Sequence, residues 1–390
     1  MKKILVLGSS IAGVKAIEEI RVFDPQSEIM LWSFDGHTPY DRSLFPALIA
    51  KEVHHKTLFY KPKDFYEKHR VQLFLEQKIS RINLRRSRIT TEDKNHVDYD
   101  ILIIADTPEL QLPEIKGVNK GGVFSGRRLN EIDQMINILP LTETVVIESD
   151  HFWGLQMANA FLKRDKEVVW IVSGPQILPD LCKAEIAEKI SGILQQKGLR
   201  ILCENAISEI LGETDVKAVR LKSGKVLAAS IVILGETRAD FQLFADPPLA
   251  VNQKICVNHQ FRTNLDHVFA VDQVCARDDR RFPCGGIRLA GTLEEEGRVV
   301  AAAVRGEDRE FHPPLEVHSL VRPDLTLDLI GRISGDDDSQ NQVSFDESNL
   351  VYRKIFLENQ KPVGAFLVNA GNERDQFLSQ ILNGGCSVTI

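Results

Sequence analysis

Three small residues near the start of the chain, Gly8, Ser10 and Gly13, have the spacing of a turn that binds a pyrophosphate. An apolar run precedes them, and apolar residues at helical spacing follow. In such a strand–turn–helix the first glycine makes the turn, the second lets the backbone approach the pyrophosphate, and the third allows close packing of helix on strand. Serine in the second place adds only a hydroxymethyl group, and the N–H groups that begin the helix can still bind an anion. We therefore predict that these residues, with Ile11 and Ala12, bind a dinucleotide; the alternative is a buried first strand of another α/β domain.

Two further polar residues could contact the same ligand. Asp35 follows a second apolar run, and an acid at this place in a nucleotide-binding unit accepts hydrogen bonds from a ribose. Arg42 follows in the segment Tyr40-Asp41-Arg42 and could bind a phosphate. The alternatives are a solvated loop aspartate for Asp35 and a surface salt bridge for Arg42.

The elements that must position these side chains can be read from the apolar pattern. We predict strands at residues 4–7, 28–32 and 71–75, a helix at 14–20 and another at 65–70. Two hairpin strands are predicted within residues 79–91, and a buried strand within 98–108. This alternation of strands and helices predicts an α/β fold with a parallel sheet.

Composition narrows the classes of protein that the chain can form. Its 390 residues predict two or three domains, and its net charge of −7 argues against a nucleic-acid surface. No apolar run is long enough to span a membrane, and the glycine and serines that interrupt the first apolar run argue against a secretory signal. The six cysteines have no metal-site or disulfide-framework spacing, so we expect no metal and a cytoplasmic protein.

The order of three motifs resembles one known family. The Gly-x-Ser-x-x-Gly turn comes first, the segment 40–50 (Tyr-Asp-Arg-Ser-Leu-Phe-Pro-Ala-Leu-Ile-Ala) follows, and residues 99–105 (Tyr-Asp-Ile-Leu-Ile-Ile-Ala) come third. This order is similar to that of the FAD-dependent pyridine nucleotide-disulfide oxidoreductases, in the branch of rubredoxin reductases, nitrite reductases and NADH oxidases.

The resemblance implies an α/β fold with two Rossmann-like nucleotide-binding domains, one inserted in the other, plus a small α+β C-terminal domain. The implied boundaries are 1–115 and 235–310 for the FAD-binding domain, 116–234 for the inserted NAD(P)-binding-like domain, and 311–390 for the C-terminal domain. In the last of these we predict a hairpin within residues 350–368 and a helix at 374–382.

The resemblance also implies further contacts to FAD. Residues 264–273 are similar to the family segment that holds the ribityl chain and pyrophosphate; Asp272 is kept, and Val271 replaces a glycine. Ala105 follows the buried strand, where relatives often continue with Thr-Gly and this chain continues with Asp106-Thr107. Gly297 lies in a segment similar to the helix that borders the flavin ring.

The inserted unit departs from the family pattern. Gly154 aligns with the third glycine, but Ser149 and His151 occupy the first two places, and Glu148 and Asp150 bring two acids into the predicted turn. Acids at a helix N-terminus repel a pyrophosphate. The end of the second strand has Ser173 where an acid usually marks the NAD ribose, so NAD(P)H binding is doubtful. Trp153, beside this turn, is expected to pack in the core, with filling of the vacated nucleotide site as the alternative.

Three hypotheses for function follow from these patterns. The first is a flavoprotein that passes electrons between FAD and a redox protein or partner subunit, without ordinary NAD(P)H binding. The second is an NAD(P)H-dependent FAD reductase, and the third is a non-catalytic structural subunit of a redox complex. No cysteine pair or active-site thiol is placed for disulfide chemistry, and no catalytic residue is assigned. A homodimer or a component of a larger complex is expected.

Overall fold

The computed structural model describes most of the chain. The described residues are 1–75, 77–106, 110–235, 238–239, 241–244, 249–252, 254–276, 288–312, 314–332 and 341–382. Within them the α-helices are α1 (Ile11–Phe23), α2 (Phe45–Ile49), α3 (Lys63–Lys68), α4 (Leu129–Ile138), α5 (Phe152–Leu162), α6 (Ala184–Gln196), α7 (Ala290–Arg305) and α8 (Arg374–Leu382).

The first sheet consists of five parallel strands formed by short runs of branched apolar residues. Their spatial order is Val268–Ala270, Ile101–Ile104, Lys3–Leu7, Glu28–Trp32 and Val71–Phe74. The first strand in sequence is therefore central, with its sequence neighbour on one side and a later strand on the other. Open α/β sheets bind ligands at such a switch point, beyond the carboxyl end of the strand.

The second sheet repeats this arrangement with five parallel strands. The spatial order is Leu199–Leu202, Glu167–Ile171, Thr144–Glu148, Ile231–Leu234 and Val123–Phe124. Thr144–Glu148 holds the central place that Lys3–Leu7 holds in the first sheet. The predicted fold class, with two Rossmann-like units, is confirmed.

Smaller sheets of two or three strands flank the two large ones. Their strands are Ile79–Asn83, Arg88–Thr91 and His96–Asp98; Ile207–Leu211, Ala218–Leu221 and Val226–Ala228; Val251–Asn252, Lys254–Cys256 and Cys275–Ala276; and Leu110–Gln111 with Arg238–Ala239.

The C-terminal part holds a five-stranded antiparallel sheet and α8. Its spatial order is Val317–Val321, Thr326–Gly331, Lys361–Val368, Val351–Glu358 and Gln342–Asp346. The sequence predicted the hairpin and the helix but missed three strands. Buried polar residues such as His318 and Asp328 interrupt the apolar alternation of two of them, and they are accommodated by pairing with Glu316 and Ser319.

The C-terminal sheet packs on the inserted unit. Leu327 and Phe366 share one hydrophobic core with residues of α5 such as Phe152. Two polar contacts cross the same boundary: Gln156 Nε2 donates to the Ser319 carbonyl at 3.1 Å, and Arg322 donates to Asn159 Oδ1 at 2.8 Å.

Candidate functional site

The turn after Lys3–Leu7 holds the predicted pyrophosphate residues. Gly8 has a φ of +111°, which a residue with a side chain rarely adopts. Ser10 is the N-cap of α1: its Oγ accepts a hydrogen bond from the Ala12 N–H at 3.2 Å. The helix begins at Ile11, three residues before the predicted start, because Ser10 is both the second residue of the turn and the helix cap. The first turn of a helix leaves N–H groups without intrahelical partners, so this end suits an anion.

The glycines of the site allow close approach of its elements. A Cβ on Gly13 would lie 2.6 Å from Val6 Cγ1 and 3.4 Å from Ala105 Cβ. A Cβ on Gly297, in α7, would lie 2.5 Å from the Ala12 carbonyl oxygen. Helices α1 and α7 thus touch through backbone at Gly297, and Ala105 lies directly beneath α1. Ile11 and Ala12 are fully buried and are the first two residues of α1.

Asp35 joins the turn to the end of the second strand. Its Oδ1 accepts hydrogen bonds from Ser9 Oγ at 3.2 Å and Ser33 Oγ at 2.9 Å, and its Oδ2 accepts one from the Tyr40 hydroxyl. The His37 N–H also donates to Oδ1, at 3.3 Å, and the side chain is 3% exposed. Burial, with the Asp35 carboxylate nearby, raises the pKa of Tyr40, so this hydroxyl remains a donor. Its role toward a ribose stays a prediction, since Asp35 is already bonded within the chain.

Arg42 lies at the centre of the site between two acids. Asp41 caps the short 3-10 helix Arg42–Leu44 and so directs the arginine. The Arg42 guanidinium donates to Asp106 Oδ2 and lies 3.5 Å from Asp272 Oδ2. Burial alone would lower its pKa, but the carboxylate of Asp106 raises the pKa of Arg42 well above its ordinary value. The guanidinium is therefore a permanent buried cation rather than a partner in a surface salt bridge.

Asp272 reaches the turn from the opposite side. Its φ of +61° is a left-handed conformation. The family that this sequence resembles has a glycine at the preceding position, where this chain has Val271. The Asp272 carboxylate accepts a hydrogen bond from Ser10 Oγ at 2.7 Å, and its N–H donates to Glu296 Oε2 at 2.7 Å. Burial raises the pKa of Glu296, and its ion pair with Arg288 opposes that rise. Glu296 thus holds the strained backbone of Asp272 in place.

The charges and hydrogen-bonding groups of this site suit a dinucleotide. The N-terminus of α1 and the Arg42 guanidinium are two positive groups on the same side of the turn, as a diphosphate requires. Within the described residues, Arg42 Nε is buried and has no hydrogen-bond partner, although the other guanidinium nitrogens are bonded. The structure brings all ten predicted site residues around one turn, which fits the binding of FAD there.

One of the two acids predicted for the turn of the inserted unit lies outside it. Glu148 is the last residue of the strand Thr144–Glu148, and its Oε2 accepts a hydrogen bond from the Ile207 N–H at 2.7 Å. The sequence prediction that Glu148 lies in the turn was therefore wrong: its carboxylate serves a neighbouring strand. A buried backbone N–H needs such a partner, and the Glu148 carboxylate supplies it for Ile207.

Asp150 does lie in the turn, as predicted, and it is bonded to a residue that follows the second strand of this unit. Its carboxylate accepts hydrogen bonds from the Ser173 N–H at 2.7 Å and from the Ser173 hydroxyl. In a nucleotide-binding unit the ribose lies between the turn and the end of the second strand. Here that gap is bridged by Asp150 and Ser173 themselves.

Ser149 and Trp153 fill the rest of this turn. A Cβ on Gly154 would lie 2.7 Å from Ser149 Cβ, so the serine side chain occupies the space under α5. The Trp153 ring is 1% exposed, carries the Arg127 guanidinium 4.2 Å from its centroid, and packs on Gly126. Trp153 is thus a packing residue of the core.

Sequence reasoning missed Asp106 and Tyr40 as site residues. Both lie where parallel strands or their following loops reach the switch point, and Asp106 directly follows the predicted Ala105. The rule that ligand sites lie beyond the carboxyl ends of strands could have found Asp106. No cluster of three metal-binding side chains occurs in the described part of the chain, and none of its helices is long and apolar enough to cross a membrane.

The chain is similar in sequence to known proteins over most of its length. The family model for pyridine nucleotide-disulphide oxidoreductases matches residues 2–297. The chain is 26% identical over 383 residues to the NAD(P)H nitrite reductase of Bacillus subtilis (strain 168), covering 97% of this chain and 47% of that protein. It is 22% identical over 384 residues to the assimilatory nitrate reductase electron transfer subunit of the same organism, covering 98% and 49%.

The chain thus spans about half the length of the first curated relatives it matches. Among solved structures, a chain of the covalent putidaredoxin reductase–putidaredoxin complex is similar, with a TM-score of 0.82 and 18% identity. The match covers 98% of this chain and 93% of that chain. At this identity the likeness concerns the fold alone.

Proposed function

Because this chain belongs to the pyridine nucleotide-disulphide oxidoreductase family, we propose that it is an FAD-binding oxidoreductase that exchanges electrons with a redox protein or partner subunit. We further propose that it does so without ordinary NAD(P)H binding. One observation carries the proposal: the first turn presents a capped helix N-terminus and a buried arginine, whereas Asp150 bridges the second turn to Ser173.

The residues that would hold FAD are those around the first turn. The N–H groups of α1 and the Arg42 guanidinium would bind the diphosphate, and Asp272 would accept hydrogen bonds from ligand hydroxyls. Gly297 keeps α7 close enough to α1 for the two helices to form one wall. The bound flavin would supply the redox chemistry, and the protein would orient it and set its electrostatic surroundings.

The proposed partner is a redox protein or another subunit. One relative is named an electron transfer subunit, and one similar structure is a reductase bound to its redox protein. Since the chain spans about half of its first curated relatives, the proposal for this chain is limited to electron exchange with such a partner. A homodimer or a larger complex is part of the same proposal.

Two other functions each have one observation in their favour. The name of the nitrite reductase relative includes NAD(P)H, which favours an NAD(P)H-dependent FAD reductase. The pairing of Arg42 with Asp106 and Asp272 favours a non-catalytic subunit, because the arginine is already neutralised within the chain.

The visible absorption spectrum of the purified protein, followed by anaerobic addition of NADH and then NADPH, tests all three. We expect a flavin spectrum that neither nucleotide bleaches and that a chemical reductant does bleach. Rapid bleaching by either nucleotide would establish the ordinary reductase instead. A colourless protein that FAD cannot reconstitute would leave the structural subunit.

A further inference from the structure

Two carboxylates share the Arg42 guanidinium. One guanidinium contacts two carboxylates, those of Asp106 and Asp272, and the three side chains are only 10%, 13% and 4% exposed. Asp272 has other donors as well, since Ser10 Oγ and the Arg42 guanidinium both approach its Oδ2. Asp106 makes the closer contact with Arg42, so its carboxylate occupies the guanidinium that a ligand phosphate would need.

Asp106 also lies against the turn itself. A Cβ on Gly8 would fall 2.3 Å from Asp106 Cβ and 2.5 Å from its backbone nitrogen. The same residue thus touches the turn glycine with its backbone and the buried arginine with its carboxylate. A diphosphate at the N-terminus of α1 would meet this carboxylate beside the guanidinium that it needs.

We propose that Asp106 is a built-in anionic competitor that holds Arg42 in the ligand-free protein and must release it when the FAD diphosphate binds. This inference rests on the proposed function, because it concerns the affinity of the same FAD site. It makes FAD binding an exchange of one anion for another at Arg42, which weakens the affinity compared with a neutral residue at position 106.

The test is equilibrium binding to apoprotein, measured by flavin fluorescence and by calorimetry, with Asp106→Asn and the control Asp98→Asn. Asp98 is a half-exposed acid bonded to Arg88 on the neighbouring small sheet, so its replacement changes the net charge equally and leaves Arg42 untouched. The ligands are FAD, ADP and riboflavin, of which only the first two carry a diphosphate. Asp106→Ser serves as a second variant where the asparagine protein does not fold.

We expect Asp106→Asn to bind FAD and ADP about tenfold more tightly than the unchanged protein, as loss of one competing charged hydrogen bond implies. Riboflavin affinity and the Asp98→Asn protein should be unchanged. Equal tightening of riboflavin would show that space rather than charge was gained, and would overturn the inference.

The failure of the inference differs from failure of the proposed function. If the unchanged protein binds FAD and the Asp106 variants bind it equally or more weakly, only the inference falls. If neither protein binds FAD or ADP at any concentration, both fall together. Binding of FAD by the variant alone would support the inference and contradict the proposed function.

Discussion

The turn after Lys3–Leu7 and the turn after Thr144–Glu148 occupy the same place in two parallel sheets, but different groups complete them. At the first, a glycine with positive φ and a capping serine leave the start of α1 available, with Arg42 beside it. At the second, Ser149 fills the space under α5, and Asp150 is bonded to Ser173. The two turns therefore share a backbone architecture and differ in the side chains that surround them.

The acidic residues at the two turns also differ in the groups that they contact. In the first unit the acids at the carboxyl ends of the strands face a buried arginine, whereas in the second they bond to backbone N–H groups of their own unit. A guanidinium can exchange a carboxylate for a phosphate, but a backbone N–H bonded inside the fold has no such alternative role. The acids of the two turns thus have different partners, a buried guanidinium in the first and backbone N–H groups in the second.

Arg42→Ala should have the largest effect, because it removes the cation on which the first turn depends. Two buried carboxylates would lose their partner, and breaking a buried ion pair costs about 3–5 kcal/mol of unfolding free energy. We expect loss of bound FAD together with this loss of stability. Urea unfolding of the apoprotein and the flavin content after purification measure both effects.

Arg88→Ala is the matched control for that change. Arg88 is bonded to Asp98, and both side chains are 40% or more exposed, so its removal should alter the stability little. Equal stability of the two variants would contradict the view that Arg42 neutralises buried acids.

Gly8→Ala should come next and should be worse than Gly154→Ala. The new Cβ at position 8 would lie 2.3 Å from Asp106 Cβ on a backbone with positive φ, and we expect a loss of about 3 kcal/mol. At position 154 it would meet the Ser149 side chain at 2.7 Å, with an expected loss of about 1–2 kcal/mol. Thermal unfolding of both variants measures the difference, and a reversed order would refute this account of the two turns.

Glu148→Ala should destabilise the inserted unit without restoring a nucleotide site. The Ile207 N–H would lose its acceptor, which costs about 1–3 kcal/mol for a buried group. Glu209→Ala, on the same neighbouring strand, is the control, because its partners Lys116 and Arg220 are exposed. A stability equal to that of the unchanged protein, by urea unfolding, would mean that Glu148 does not serve this N–H.

The sequence predicted much of the fold because its signals are local. The run at residues 28–32 matches its strand in full, and the helix at 374–382 matches α8. The spacing of Gly8, Ser10 and Gly13 located the turn, since each glycine is required by a contact within the same strand–turn–helix or its immediate neighbour. The domain boundaries and the ligand roles of the site residues stay predictions.

What the sequence could not predict are pairings between distant residues. Arg42 and Asp106 are 64 positions apart, and Ser10 and Asp272 are 262 apart, so only the closed sheet brings them together. The prediction for Glu148 was wrong for the same reason. An acid next to a turn was expected to repel phosphate, but its side chain had a backbone partner, Ile207, that no local pattern reveals.

Asp150→Gly is the smallest and most informative change to the second turn. It removes the bridge to Ser173 and gives the turn back the flexibility of a glycine. If the bridge alone closes the crevice, NADH should bind about tenfold more tightly, which corresponds to about 1.4 kcal/mol. Fluorescence titration with NADH measures this affinity, and Asp165→Gly, at a turn residue away from the crevice, controls for the lost charge. Unchanged affinity would mean that Ser149 and the packing of α5 also keep NADH out, because Ser149 would still fill the space beneath Gly154.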